Sequence, residues 1–179
     1  MNGHVLLGVG GGIAAYKVAF LASRLVQAGR LVRVAMTPAA ARFVGPLTFA
    51  GLTGRQPILS STQVDADGSV PHIDAARGAL VYCIAPATAE LLAGLAAGAA
   101  SDPVTLLALT CRCPLLVCPA MNDAMWFAPP VQDNVARLQQ RGVEFLGPVV
   151  GHLAEGYDAI GRMVEPAQIE ARIDALAAG

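Results

Sequence analysis

A glycine-rich segment, residues 8–17, offers the first chemistry in the sequence, because it lies between a predicted strand and a predicted helix. Glycines at such a junction let backbone amides approach an anion, and the dipole of the following helix favours negative charge there. The spacing Gly10-x-Gly12-x-x-Ala15 fits a loose dinucleotide fingerprint, but Met36-Thr37 stands where that fingerprint has an acidic residue. The segment therefore predicts a phosphate site and disfavours a nicotinamide dinucleotide; the alternative is a glycine turn needed only for packing.

Proton transfer could be carried by His72, which follows Pro71 at the start of a predicted helix in mid-chain. Histidine is the side chain best suited to exchange a proton near neutral pH. A histidine at a helix start can also simply cap or pack that helix, and this structural interpretation is favoured for His72 taken alone. His4 falls in a predicted strand and is interpreted as structural.

Carboxylate recognition is indicated by residues 119–126, where a strand runs into a proline and then into an amide, two methionines and the only tryptophan. The Asn122 side chain can donate two hydrogen bonds to a carboxylate. Met125 and Trp126 can wall a planar ligand or keep water out of a reaction site. In the alternative interpretation these side chains only fill a packed corner of the core.

A glycine-punctuated segment, residues 151–163, carries Arg162 near its end. The Arg162 guanidinium could hold a carboxylate or a phosphate, or it could pair with Glu165 in a solvated connection. The stretch 147–162 has little periodicity and is predicted to be a loop, and long loops in compact domains are often lids or binding loops. The polar residues 60–70 are predicted to be the most mobile loop.

Strands and helices alternate along the chain, and several strands are continuously apolar, which is typical of a parallel sheet covered by helices on both faces. Ligands bind beyond the carboxyl ends of the strands in such sheets. No linker or repeat divides the chain, so we predict one domain over residues 1–179. The predicted strands are residues 4–9, 31–36, 79–84, 114–118 and 143–146; the predicted helices are residues 13–28, 88–97, 104–110, 130–141 and 165–177, with a short helix from Thr37-Pro38. The segments expected to converge are residues 10–13, 37–40, 85–90 and 119–126.

Composition excludes several classes of protein. The chain has 179 residues, a net charge of −1, and 14% charged residues against 55% hydrophobic ones, which favours a sheet buried on both faces and apolar subunit contacts. The longest stretch without charged residues, 1–16, is rich in glycine and too short to span a membrane. The 12 cationic side chains are scattered, so we expect no binding to nucleic acid or to an anionic membrane.

The four cysteines lie in apolar runs, and Lys17 follows rather than precedes the first apolar stretch. We therefore expect no secretory signal, reduced thiols and a cytoplasmic protein. The spacing of Cys111 and Cys113 does not fit a zinc knuckle and no histidine is near, so buried structural cysteines and no metal are expected. The remaining two are Cys83 and Cys118.

Taken in order, these segments resemble the flavin-containing cysteine decarboxylase family. That family includes phosphopantothenoylcysteine decarboxylase of coenzyme A synthesis and the peptide-cysteine decarboxylases of lantibiotic and thioamide-peptide pathways. The likeness spans residues 6–169, and the run Pro-Ala-Met-Asn-x-x-Met-Trp is its most specific part. The matching residues are 11–17 (Gly-Gly-Ile-Ala-Ala-Tyr-Lys), His72-Ile73, 85–89 (Ala-Pro-Ala-Thr-Ala), 119–122 with Met125-Trp126, and 161–163 (Gly-Arg-Met) with Glu165-Pro166.

The resemblance implies an α/β fold with a doubly wound, Rossmann-like and flavodoxin-like parallel sheet that binds FMN. It also implies trimers, often assembled into dodecamers, with the flavin at the subunit contact. By the same resemblance, His72 is the active-site base and Asn122 holds the substrate carboxylate beside Met125. The clamp implied to close over the substrate contains Ala154, Glu155 and Gly156. The residues implied to bind FMN are Gly11, Gly12, Ile13, Thr37 and Ala40 at the phosphate, and Thr88, Ala89 and Ala120 at the remainder of the flavin.

Two departures from the family pattern bear on function. Glu90 stands where the family commonly has asparagine, and Glu155 stands where the coenzyme A enzymes have a clamp cysteine. That cysteine is implied to help return an enethiol to a saturated thiol, a redox step that a carboxylate cannot perform. Cys118, which adjoins Pro119, is the thiol that could replace it.

We therefore predict FMN-dependent oxidative decarboxylation of a terminal cysteine to an enethiol, with a peptide C-terminal cysteine as the substrate. Decarboxylation of phosphopantothenoylcysteine is the alternative. A non-catalytic flavin-binding subunit and a flavin prenyltransferase are further alternatives. Both His72 and Asn122 are present, which argues against the non-catalytic subunit, and residues 119–126 argue against the prenyltransferase.

Overall fold

The computed structural model describes residues 3–178. It contains a sheet formed by the apolar runs and helices formed by the segments with helical periodicity. The outermost residues of the predicted domain, 1, 2 and 179, lie outside this range. The strands are β1 (His4–Val9), β2 (Val32–Met36), β3 (Ala79–Ala87), β4 (Leu115–Pro119), β5 (Glu144–Phe145), β6 (Val149–His152) and β7 (Asp158–Arg162). The helices are α1 (Ala15–Gln27), α2 (Ala40–Phe43), α3 (Pro46–Thr53), α4 (Pro71–Ala76), α5 (Ala89–Ala97), α6 (Pro103–Thr110), α7 (Asp123–Trp126), α8 (Pro129–Gln140) and α9 (Pro166–Ala177).

Five strands form one parallel sheet in the order β2-β1-β3-β4-β5. This is the order of flavodoxin-like folds, in which the chain changes direction across the sheet between β1 and β3 and leaves a crevice at the carboxyl ends. Gly8 pairs with Ala35 on one side and with Ile84 on the other, so β1, β2 and β3 end side by side. The predicted α/β fold with a doubly wound parallel sheet is confirmed.

Helices cover both faces of the sheet because its central strands are apolar on both sides. On one face, Leu7 belongs to a core with Val18 of α1 and Ile169 of α9. On the other face, Leu6 belongs to a core with Leu92 of α5. Despite this apolar content, no helix within residues 3–178 combines the length and the hydropathy needed to cross a bilayer.

The structure differs from the sequence-based prediction in several places. Residues 147–162, predicted to be a loop, contain the antiparallel β6–β7 hairpin, whose alternation is obscured by glycines and by exposure of most of its side chains. Helix α3 was not predicted; it starts with Pro46 at its first position and ends at Gly54, which has a φ of +69°. Strand β3 continues through Pro86. Proline has no backbone N–H to donate, and it is tolerated there because the pairing register with β4 shifts between Ile84 and Ala87.

Candidate functional site

The loop between β1 and α1 forms one side of the site, because its glycines allow backbone segments to approach closely. A Cβ at Gly10 would lie 2.1 Å from Pro86 O, and a Cβ at Gly11 would lie 2.3 Å from Ala39 Cβ. Helix α1 begins without a capping side chain and without an acid in its first turn. Its first amides are therefore not taken by a capping side chain, as a phosphate site at a helix start requires.

Two threonines shape the turns on either side of this loop. Thr37 follows β2, and its Oγ1 accepts a hydrogen bond from the Ala40 amide at 3.0 Å. Thr88 follows β3, and its Oγ1 accepts one from the Leu91 amide at 3.3 Å, which caps α5. Glu90 is exposed in the first turn of α5, where its charge favours the helix start.

The segment after β4 is joined to the end of β3 and to the β6–β7 hairpin by backbone hydrogen bonds. Ala120 N donates to Ala87 O at 3.1 Å, and Met121 N donates to Gly161 O at 3.0 Å. Gly161 has a φ of +145°, and a Cβ there would lie 2.1 Å from Met121 O. Because only glycine fits at this close contact, the hairpin can lie directly against the carboxyl end of β4.

A cavity of about 650 Å³ opens where these three segments meet. Its volume is within the range of small-molecule and cofactor sites. The sequence-predicted site residues that line it are Gly12, Ile13, Thr88, Ala120, Asn122, Met125, Ala154 and Glu155. The other lining residues are Ala14, Tyr16, Lys17, Met121, His152, Leu153, Gly161, Arg162 and Met163.

The remaining predicted site residues do not line this cavity. Gly11 and the turn from Thr37 to Ala40 lie beside it, since Gly11 packs against Ala39. Ala89 is the first residue of α5, directly after Thr88. Gly156 lies at the hairpin tip, where a φ of +89° suits glycine.

His72 lies apart from the cavity of its own chain. It is half-buried in α4, a helix that is separated from the start of β3 by only two residues. Since β3 starts at the end of the sheet opposite to the cavity, α4 lies near that end. Within residues 3–178 His72 thus does not line the cavity of its own chain, and its role as the active-site base stays a prediction.

The Asn122 side chain is at the centre of a hydrogen-bond network beside the cavity. Its Oδ1 accepts from Ala124 N at 2.8 Å and so caps α7. Its Nδ2 donates to Glu155 Oε1 and to Tyr157 Oη, both at 3.1 Å. The Tyr157 hydroxyl donates to Asp123 Oδ1 at 2.6 Å, and this bond raises the pKa of Tyr157. The network links α7 to the hairpin tip.

Two cationic side chains, Lys17 and Arg162, also line the cavity. Both hydrogen-bond Glu165 at the start of α9, with Lys17 Nζ 2.9 Å from Glu165 Oε1. The Lys17 ammonium, assisted by the Arg162 guanidinium, lowers the pKa of Glu165. The Arg162–Glu165 pair expected in the alternative interpretation of this segment is thus present, although Arg162 also faces the cavity.

No cysteine lines the cavity within the described part of the chain. Cys83 and Cys118 are fully buried, and a hydrogen bond with Cys118, together with burial, raises the pKa of the Cys83 thiol. Cys111 and Cys113 are only half-buried, contrary to expectation, because they occupy the turn between α6 and β4. Within residues 3–178, no three metal-ligating side chains come together.

The polar side chains of this site that were not predicted from sequence include Lys17, His152 and Tyr157. Lys17 is the only lysine of the chain and directly follows the glycine-rich segment, which is a signal that could have been used. His152 and Tyr157 flank the predicted clamp, but they converge on the cavity and on Asn122 only because residues 149–162 fold as a hairpin.

Comparisons with known proteins agree with this geometry. Residues 1–178 match the family model described as Flavoprotein. The coenzyme A biosynthesis bifunctional protein CoaBC of Vibrio vulnificus is 44% identical over 167 residues, which are 93% of this chain and 42% of that protein. The chain thus spans about two fifths of the length of this relative.

Two solved structures extend the likeness to the fold as a whole. A cysteine-to-serine mutant of PPC decarboxylase complexed with pantothenoylaminoethenethiol has a TM-score of 0.89 and 26% identity, with full coverage of both chains (100%). The FMN-dependent cysteine decarboxylase SpaF has a TM-score of 0.83 and 29% identity, covering 99% of this chain and 98% of that chain.

Proposed function

The chain belongs to the flavoprotein family, and from this premise we propose that it is an FMN-dependent cysteine decarboxylase, a carboxy-lyase, acting on phosphopantothenoylcysteine. The observation that carries the choice of substrate is the 44% identity to CoaBC over 93% of the chain. It favours the alternative over the peptide substrate that sequence reasoning put first. We propose that residues 1–179 act as one flavoprotein domain in the cytoplasm, without nucleic-acid or membrane partners.

The residues around the cavity fit FMN. Gly12 and Ile13 line the cavity beside the start of α1, which no side chain caps, and a Cβ at Gly12 would have no neighbour closer than 3.7 Å, so this helix start is open to a phosphate. The apolar side chains that line the cavity, including Met121 and Met163, suit the flavin ring. When bound, FMN supplies the oxidation of the substrate thiol that makes loss of carbon dioxide feasible. The residues assigned to FMN are Gly11, Gly12, Ile13, Thr37, Ala40, Thr88, Ala89 and Ala120.

Asn122 is assigned to the substrate carboxylate, because its Nδ2 group carries two N–H donors at the edge of the cavity. Met125 lines the cavity beside it and limits access of water to the bound carboxylate. Ala154, Glu155 and Gly156 form the hairpin tip and are assigned to the clamp over the substrate. Together these residues orient the carbon–carbon bond that breaks.

Proton transfer is assigned to His72, acting in the cavity of a neighbouring copy of the chain. His72 does not line its own cavity. The start of α1, next to that cavity, carries an exposed apolar stripe in which Ile13, Tyr16 and Phe20 are 67%, 62% and 59% exposed. Contiguous apolar surface of this kind is typical of subunit contacts. We propose a homotrimer, assembling further into a homododecamer, in which His72 of one copy meets the cavity of the next.

A second candidate function, oxidative decarboxylation of a peptide C-terminal cysteine, is favoured by Glu155. A carboxylate cannot cycle through a disulfide, and no thiol of the described residues lines the cavity, so an enethiol lacks a thiol partner for its reduction. The solved PPC decarboxylase mutant, which has lost a cysteine, is complexed with an enethiol. An unreduced enethiol is the product that a peptide-modifying enzyme would release.

Product mass distinguishes the two candidates when the FMN-loaded protein is incubated separately with phosphopantothenoylcysteine and with cysteine-terminated peptides. We expect phosphopantothenoylcysteine to lose carbon dioxide with a higher kcat/KM than any peptide. A higher kcat/KM for a peptide, with loss of carbon dioxide plus two hydrogens, would establish the second candidate and contradict the first. Loss of carbon dioxide plus two hydrogens from phosphopantothenoylcysteine would support this substrate and show that the enzyme does not reduce the enethiol to a saturated thiol.

A further inference from the structure

The hydrogen-bonding capacity of the Asn122 amide is already used within the chain. A primary amide has two N–H donors. One is donated to Glu155 Oε1 at 3.1 Å and the other to Tyr157 Oη at 3.1 Å. Glu155 is exposed at the hairpin tip and lines the cavity. A carboxylate of the protein itself therefore lies on the amide to which the substrate carboxylate is assigned.

We propose that Glu155 is a specificity-determining residue, an internal carboxylate that competes with the carboxylate of the substrate for the Asn122 amide. The inference rests on the proposed function, because it takes Asn122 as the group that binds the substrate carboxylate. Substrate binding then requires Glu155 to leave Asn122. A ligand without a carboxylate leaves the contact between Glu155 and Asn122 intact.

The surroundings of Glu155 make this displacement feasible. No cation forms an ion pair with Glu155 within residues 3–178, since the nearby Lys17 and Arg162 both pair with Glu165. The Tyr157 hydroxyl donates its proton to Asp123, so it does not hold the Glu155 carboxylate. The exposed Glu155 carboxylate is thus held by a hydrogen bond from a neutral amide, and a substrate carboxylate can replace this bond with an equivalent one.

The Glu155 side chain can leave Asn122 without disturbing the sheet. The tip is closed by Leu153 N donating to Tyr157 O at 2.9 Å and by Gly156 N donating to Leu153 O at 3.0 Å. Both bonds lie within the tip itself, and the contact of the hairpin with β4 is made farther along, at Gly161. Movement of the Glu155 side chain therefore leaves the close contact at Gly161 unchanged.

Two carboxylates close together repel each other, so Glu155 acts on carboxylate ligands both by occupying Asn122 and by its charge. Glutamine at position 155 keeps an oxygen acceptor for Asn122 but removes the charge, and alanine removes both. The expected order of affinity for a carboxylate ligand is therefore E155A above E155Q above the parent protein. The affinity for the decarboxylated counterpart is expected to stay constant in all three.

Calorimetric titration of the FMN-loaded protein tests this order with ligands that cannot turn over. The probes are a phosphopantothenoyl conjugate and a short peptide, both ending in alanine in place of cysteine, and the matching ethylamides that lack the carboxylate. We expect E155A to bind the preferred carboxylate probe about three- to tenfold more tightly than the parent, with less than a twofold change for its ethylamide. FMN content verifies that the variants are folded.

The matched control is D133N, which removes one carboxylate charge at an exposed residue of α8 that does not line the cavity. D133N is expected to change the affinity for either probe less than twofold. Equal affinity of the parent and E155A for the carboxylate probe would overturn the inference, as would an equal gain for both probes. Failure of both carboxylate probes to bind any variant would instead overturn the proposed function, and the inference with it.

Discussion

Replacement of His72 by asparagine is expected to lower kcat for decarboxylation by about 10²- to 10⁴-fold, the usual contribution of a general acid–base group. An imidazole exchanges a proton near neutral pH, whereas a carboxamide does not. Asparagine is polar and smaller than histidine, and His72 is only half-buried on the short helix α4, so FMN content and oligomeric state should stay unchanged. Steady-state kinetics with flavin absorbance and light scattering provide the measurement. An H72N variant that turns over at the parent rate would show that His72 is only structural.

The proposed position of His72 at a subunit contact permits a second test with the same variant. Co-expressed H72N and N122D chains form mixed oligomers, in which some cavities combine an intact His72 from one chain with an intact Asn122 from another. These oligomers should be more active than either variant alone if His72 acts across the contact. Mixed oligomers no more active than the separate variants would place both groups in the same chain's site and contradict the proposed arrangement.

Replacement of Asn122 by aspartate is expected to lower kcat/KM by about 100-fold or more. The change removes two N–H donors, and hydrogen bonds to a charged group contribute about 1.5–3 kcal/mol each. It also puts a negative charge beside the substrate carboxylate. Aspartate is as good an N-cap as asparagine, so α7 keeps the cap that Asn122 Oδ1 now provides.

A matched control for N122D is N134D, the same change on α8 at a half-buried residue that does not line the cavity. N134D should keep the kcat/KM of the parent within about twofold, since surface changes away from a site usually have small effects. If N122D binds the substrate with the affinity of the parent, Asn122 does not bind the substrate carboxylate.

The sheet could be predicted from sequence because its strands are buried on both faces. Runs such as Leu116-Val117-Cys118 are continuously apolar, and a glycine or proline closes most of them, so the strand boundaries agree within one residue except at the end of β3, which extends three residues beyond the predicted strand. The convergence of the segments after β1, β3 and β4 follows from parallel strands alone. Gly12, Thr88 and Asn122 accordingly line one cavity, as the sequence led us to expect.

The hairpin escaped prediction because its strands are mostly exposed. Val149, Val150, His152 and Asp158 all face solvent, so burial leaves no alternating pattern to detect. The close contact of Gly161 with Met121 depends on two segments that are about 40 residues apart in the chain, and local propensity carries no signal for it. The hydrogen bonds from Asn122 to Glu155 and Tyr157 depend on that contact, so the sequence could not predict them either.

His72 illustrates a different limit. The resemblance to the cysteine decarboxylases implies that His72 is the catalytic base, but sequence periodicity describes one chain and contains no information on which chain completes a site. The half-buried position of His72 on α4 and the exposed stripe of Ile13, Tyr16 and Phe20 become interpretable only when both are located on the same fold.

The central claim, FMN-dependent decarboxylation of phosphopantothenoylcysteine, is tested most directly with substrate labelled at the cysteine carboxyl carbon. The amount of labelled carbon dioxide released is measured against the amount of FMN bound. We expect release over many turnovers, in proportion to the FMN content, and its loss in N122D. Absence of labelled carbon dioxide from the FMN-saturated protein, with phosphopantothenoylcysteine and with cysteine-terminated peptides labelled in the same way, would contradict the assignment of this chain as a cysteine decarboxylase.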